Sequence, residues 1–146
     1  MTSEQKKLVQ QTFQLVVPIK DKAAELFYGR LFEIDPTVRP LFKGDMKRQG
    51  GLLMAMIATA VKGLDSVEEI VPAVRDLGRR HASYGVRDEH YATVAAALLW
   101  TLEQGLGKAW TPEVKEAWTA CYGLLAGVMQ QTARETEEKG QSVSAT

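Results

Sequence analysis

The sequence predicts an all-α fold on three observations. Apolar residues recur at three- and four-residue spacing through most of the chain, the prolines fall where helices would begin or break, and strand-like alternation of β-branched residues is scarce. Taken in order, the first helix is expected from Ser3, with Ser3 or Thr2 as cap, to about Val17, its buried face formed by Leu8, Phe13, Leu15 and Val16. Pro18 interrupts it. A second helix covers about Lys22 to Glu33, with Ala23, Leu26, Phe27, Leu31 and Phe32 at helical spacing. Asp35-Pro36 then opens a short helical turn reaching Leu41-Phe42, with proline at its favoured first position.

Lys43 to Lys47 reads as a polar connection, and Arg48 to Lys62 as a strongly apolar helix. Gly50-Gly51 near its start removes two side chains, which would let a flat object or another helix come close. Asp65-Ser66 offers the next cap, for a helix from Val67 to Tyr84 that Gly85 can stop. Asp88 to Leu106 is long and rich in Ala and Leu. The order Thr111-Pro112-Glu113 (cap, proline, acid) starts the last helix, expected to end near Arg134. A polar tail at 136–146 is expected to be disordered, leaving 1–135 as the folded domain.

A chain of 146 residues fits one domain and can bury about two thirds of its unfolded surface, so it needs no disulfide or metal to fold. The formal net charge is zero, which argues against nucleic acid or an anionic membrane as partner, since both depend on excess Lys and Arg. The amino terminus becomes amphipathic at once, without the apolar core of a secretory signal, and no apolar run is expected to reach the length of a membrane span. These features predict a cytoplasmic protein. Cys121, the single cysteine, sits among helix-patterned apolar residues and reads as a buried, inert thiol.

The chemistry concentrates on Leu77-Gly78-Arg79-Arg80-His81-Ala82-Ser83-Tyr84-Gly85-Val86. His81, one of two histidines, lies near the end of an apolar helix and would face inward, either satisfied by a neighbouring carbonyl or serving as a metal ligand. Other residues stand in register with it: Tyr28 after Phe27, the run Asp35-Pro36-Thr37-Val38-Arg39-Pro40-Leu41-Phe42, Gln49 after a short connection, and His90-Tyr91. In this order they resemble the globin family, and more narrowly the bacterial single-domain haemoglobins and the globin domain of flavohaemoglobins. The resemblance covers about Glu4 to Arg134.

It implies a globin fold of six to seven helices around a pocket for haem b (iron protoporphyrin IX). His81 would be the proximal iron ligand through Nε2, with the Leu77 carbonyl in the direction of Nδ1–H. Phe42 would pack on the haem face, Tyr28 and Gln49 would stabilise charge on a distal gas ligand, and Leu53 would control its access. Leu77, Val86 and Val94 would line the proximal side, and Arg80 or Arg79 would pair with propionates unless simply solvated. Tyr91 matches a tyrosine that joins the proximal histidine to a late glutamate. That glutamate's position is Ala133 here, and Glu135, two residues on, would face elsewhere. The loss of a carboxylate there argues against peroxidase-like chemistry.

The resemblance therefore implies tight oxygen binding, with nitric oxide and carbon monoxide as further gas ligands, and nitric oxide dioxygenation if a separate reductase supplies electrons. The chain carries no glycine-rich dinucleotide motif of its own. Two other classes stand beside this one: an oxygen carrier or gas sensor acting by binding alone, and a haem-free globin-like interaction domain in which His81 is structural. A monomer and a homodimer are both compatible with the sequence.

Overall fold

A computed structural model describes the backbone of residues 1–144 and the side chains of residues 1–136. Among the described residues there is no strand, and the α-helices are α1 (Ser3–Val16), α2 (Lys20–Ile34), α3 (Met46–Lys62), α4 (Val67–Ser83), α5 (Asp88–Leu106) and α6 (Pro112–Ser144). Short 3-10 segments at Val17–Ile19, Pro36–Leu41, Gly63–Ser66 and Gly107–Ala109 join them. The all-α class and the order of elements are as the sequence predicts.

Local chemistry accounts for most boundaries. Thr2 caps α1 through a reciprocal box with Gln5, the Thr2 hydroxyl accepting from the Gln5 amide and the Gln5 side chain accepting from the Thr2 amide. Pro18 converts the end of α1 into a 3-10 turn, because it cannot donate to the preceding turn. The carboxylates of Asp35 and Asp45 accept from the amides of Thr37 and Lys47, both at 3.0 Å. The second of these starts α3 at Met46, two residues before the expected start. Thr111 caps α6 by accepting from the Val114 amide at 3.2 Å.

The end of α6 differs from the expected one near Arg134. No glycine or proline interrupts the chain between Gly127 and Gly140, Thr132 is buried, and Glu135 pairs with Arg75 of α4, so the last packed turn lies beyond Arg134. The helix continues to Ser144. Side chains from residue 137 onward, and residues 145–146 altogether, lie outside the described residues and with them most of the expected tail.

Helix α6 packs on α4, α1 and α5, while α2 packs on α5 and α3. The main core, under α1 and α6, is built on Val9, Phe13, Leu64, Leu102 and Trp118. One polar contact is sealed into it: the Trp118 indole donates to the Thr12 hydroxyl at 2.9 Å. Two close approaches require glycine. A Cβ on Gly50 would lie 2.9 Å from Ala24 Cβ, so this glycine admits α2, while Gly51 faces open space. A Cβ on Gly78 would lie 2.8 Å from the Met129 backbone, so α4 and α6 touch main chain to side-chain-free main chain.

One expectation needs correcting. An 18-residue window within Met46–Ser83 reaches a mean hydropathy of 1.3, enough by length and composition to cross a membrane. The stretch is nevertheless divided by the 3-10 turn at Gly63–Ser66, and its residues Met54, Val61, Leu64 and Val74 are buried inside the bundle.

Candidate functional site

Two apolar clusters outside the main core collect the apolar and aromatic residues singled out for the pocket, while His81, Gln49 and Arg80 belong to neither. The first holds Phe27, Tyr28, Leu31, Val38 and Ala97, with Phe32, Leu41, Phe42, Leu53 and Val94 packed against it. The second holds Val74, Tyr91, Ala126 and Met129, with Met56, Leu77, Val86 and Tyr122 against it. Val94 packs against the first cluster and Leu77 and Val86 against the second.

Helix α4 ends in a motif that fixes His81. Gly85, at φ 91°, takes the left-handed conformation that a side chain would resist. Its amide donates to the Ala82 carbonyl at 3.1 Å and the Val86 amide to the His81 carbonyl at 3.0 Å, satisfying the last turn of the helix. His81 therefore occupies a defined position one turn before the stop. Its Nδ1 is 2.9 Å from the Leu77 carbonyl, an acceptor only, so the proton must sit on Nδ1. Nε2 then carries the lone pair, and has no hydrogen-bond partner among the described residues. Burial, aided by the nearby Arg80 charge and opposed by the Leu77 bond, holds the imidazole below the usual histidine range and so neutral.

Tyr28 lies within an aromatic box. Its ring meets Phe27 edge-on at 5.0 Å, Phe42 edge-on at 5.3 Å and Phe32 in a stack at 6.1 Å. Burial pushes its phenol up to about 12, so it is a proton donor at any ordinary pH. The hydroxyl donates to the backbone carbonyl of Gln49 at 3.4 Å, long for an O–H···O bond. Tyr28 and Gln49 are thereby brought together across α2 and α3. A small apolar cavity borders Leu53, with Phe27, Ile57, Leu98 and Trp118 among its walls.

In the second cluster, the Tyr122 hydroxyl donates to the Tyr91 carbonyl at 2.8 Å, and burial raises both phenols above the usual range. Ala133 is half-buried, and Glu135 is engaged by Arg75. Arg80 pairs with Asp76 one turn back at 3.2 Å on the exposed face of α4, and Arg79 is exposed. His90 has a function the sequence reading missed: its Nδ1 accepts from the Arg87 amide at 2.9 Å, capping α5. The spacing of three residues from Arg87 is the signal that could have found it.

Among the described residues no group of three or more His, Cys, Asp or Glu could hold a metal. A metal at His81 would have to arrive with its remaining ligands.

Comparison with known proteins bears on the family and the fold. The Globin family model matches residues 25–129. A flavohemoprotein of Bordetella parapertussis is 32% identical over 132 residues, covering 88% of this chain and 33% of the relative. The flavohemoprotein of Bacillus subtilis is 31% identical over 120 residues, covering 77% and 30%. The chain therefore spans about a third of the length of these curated relatives. Among solved structures, a Campylobacter jejuni bacterial globin superposes with a TM-score of 0.82 at 23% identity, covering 94% of this chain and 99% of its own. An engineered carbene transferase derived from a candidate nitric oxide dioxygenase of Rhodothermus marinus superposes at 0.84 and 24% identity, covering 100% and 99%.

Proposed function

The chain belongs to the globin family, and on that premise we propose that it binds haem b through His81 and holds oxygen tightly on the side of Tyr28 and Gln49. The observation that carries this reading is the His81–Leu77 bond. By holding the proton on Nδ1, it leaves a neutral imidazole whose only free lone pair, on Nε2, is the one iron ligation requires. The donor set fits the cofactor for a second reason: a lone imidazole suffices only when the metal brings its other ligands, as porphyrin iron does. On this reading Phe42 and Leu53 of one cluster and Leu77 and Val86 of another would supply apolar surface for the two faces of a flat ring.

When bound, ferrous haem supplies an open coordination position for oxygen, nitric oxide or carbon monoxide, and the electron by which oxygen and nitric oxide together become nitrate. The residues here do the rest. The Tyr28–Gln49 bond is long, so the phenol loses little by turning its proton toward a negatively polarised ligand, where a buried donor is worth far more than in water. The Gln49 amide, half-buried at the start of α3, can add a second donor. Leu53 controls access from the cavity side. A separate reductase returns the electron consumed in each turnover; the flavohemoprotein relatives, three times as long, motivate this partner.

Oxygen dissociation rates of wild type, Tyr28→Phe and Gln49→Leu, with nitrate formation in the presence of an added flavin reductase, test the reading. Loss of one good donor should speed release about tenfold, the equivalent of ~1.4 kcal/mol. Unchanged rates in both variants would remove these residues from ligand stabilisation. Slow release without nitrate formation would reduce the function to oxygen binding alone.

A further inference from the structure

We infer that Arg39, an exposed residue outside the pocket, is a positioning residue that sets the direction of the Tyr28 hydroxyl. The inference rests on the haem-binding reading and concerns how its distal donor is aimed. Three rings surround the phenol, and two of them, Phe32 and Phe42, meet each other at 5.6 Å and 65°. Arg39 bridges that pair from the solvent side. Its guanidinium carbon stands 5.3 Å from the centre of the Phe32 ring, while Nη1 donates to the Phe42 carbonyl at 3.0 Å. The link closes in both directions, because the Phe42 amide donates to the Arg39 carbonyl at 3.1 Å.

The arrangement needs arginine rather than any cation. A planar guanidinium can lie over a ring and donate along its edge at the same time, whereas an ammonium is a point charge that can satisfy only one of those contacts well. Phe42 follows a 3-10 segment, Pro36–Leu41, and precedes a polar connection, so main-chain pairing to neighbouring helices does little to hold it. Through Arg39 it is tied to Phe32 of α2, the helix that carries Tyr28. Releasing Phe42 opens the edge-on contact with Tyr28, and the phenol, anchored to Gln49 only by a long bond, then samples several directions.

The test is the infrared C–O stretch of the ferrous carbon monoxide complex, which reports the polarity facing the ligand, together with the oxygen dissociation rate. Arg39→Met, Arg39→Lys and the double variant Arg39→Met/Tyr28→Phe are compared with wild type and with Tyr28→Phe. Because Arg39 is exposed, Arg39→Met and Arg39→Lys are expected to retain their helical circular dichroism and their haem stoichiometry. Arg39→Met should broaden or split the C–O band and speed oxygen release by roughly threefold, part of one hydrogen bond. Arg39→Lys should recover the effect only in part. In the Tyr28→Phe background Arg39→Met should change nothing, since the group it aims is gone. A band and rate unaltered by Arg39→Met in a haem-bound protein overturn this inference alone, as does an equal effect with and without the Tyr28 hydroxyl. A wild-type protein that takes up no haem overturns the haem reading and this inference with it.

Discussion

Replacing Gly78 by alanine tests the packing that carries His81. A Cβ there would lie 2.8 Å from both the Cα and the carbonyl oxygen of Met129. Both are backbone atoms, so no side chain can swing aside, and α4 must lift from α6 by several tenths of an ångström. Overpacking of this kind costs roughly 1–3 kcal/mol. Against it stands the gain of up to about 1 kcal/mol from replacing a mid-helix glycine with alanine. The net expected loss is ~1–2 kcal/mol, or about 2–8 °C in melting temperature for a domain of this size. Gly123→Ala and Gly127→Ala on α6 provide the control, because a Cβ at either position meets nothing within 4 Å. Those substitutions should stabilise by ~0.5–1 kcal/mol. Urea denaturation of the three variants reads the difference as shifts of opposite sign. If Gly78→Ala stabilises as much as Gly123→Ala, the close approach of α4 to α6 is refuted.

Further outcomes follow from other features of the same fold. Gly85→Ala forces a side chain into the left-handed region at φ 91° and should cost roughly 1–2 kcal/mol, with faster hydrogen exchange at the Val86 amide, which closes on the His81 carbonyl. Unaltered exchange there would show that the turn does not depend on glycine. Thr12→Val leaves the buried Trp118 indole N–H without its partner and should cost about 1–3 kcal/mol in urea denaturation, whereas Thr12→Ser should recover most of it. A valine variant as stable as wild type would show that the indole finds another acceptor. Burial pushes the Cys121 thiol from 9.0 to about 11 and the Tyr28 phenol from 10.0 to about 12. Both folded values are raised, so their contribution is complete below about pH 9 and lost as pH rises toward 12. Denaturation midpoints measured from pH 7 to 12 should therefore be steady and then fall, and a flat profile beyond pH 10 would contradict the burial of these groups.

What the sequence made legible was local. Gly85 at the stop of α4, Thr111-Pro112-Glu113 at the start of α6 and Asp35-Pro36 before the 3-10 turn each act within a few residues, so spacing alone placed them. The His81–Leu77 bond was legible for the same reason, being one helical turn long. Features made by distant segments were not. The Arg75–Glu135 pair spans 60 positions, and the length of α6 that depends on it was underestimated accordingly. The bond from the Tyr28 hydroxyl to the Gln49 carbonyl depends on how α2 and α3 cross, where a Cβ on Gly50 would come within 2.9 Å of Ala24 Cβ. Val94 packs against one apolar cluster and Leu77 and Val86 against another, a division that periodicity does not carry, since it gives the buried face of a helix and not what that face meets. The bridge made by Arg39 was not legible either, since neither its ring contact nor its carbonyl contact has a sequence signature.

The central claim is that His81 ligates haem iron, and the absorption spectrum of the purified protein after incubation with haem, with and without His81→Ala, tests it most directly. The wild type should show a strong Soret band that shifts on reduction and again on adding carbon monoxide, and the variant should fail to retain the pigment through gel filtration. A wild-type protein that remains colourless, or an alanine variant that keeps full haem content with the same ligand-dependent shifts, would contradict the account.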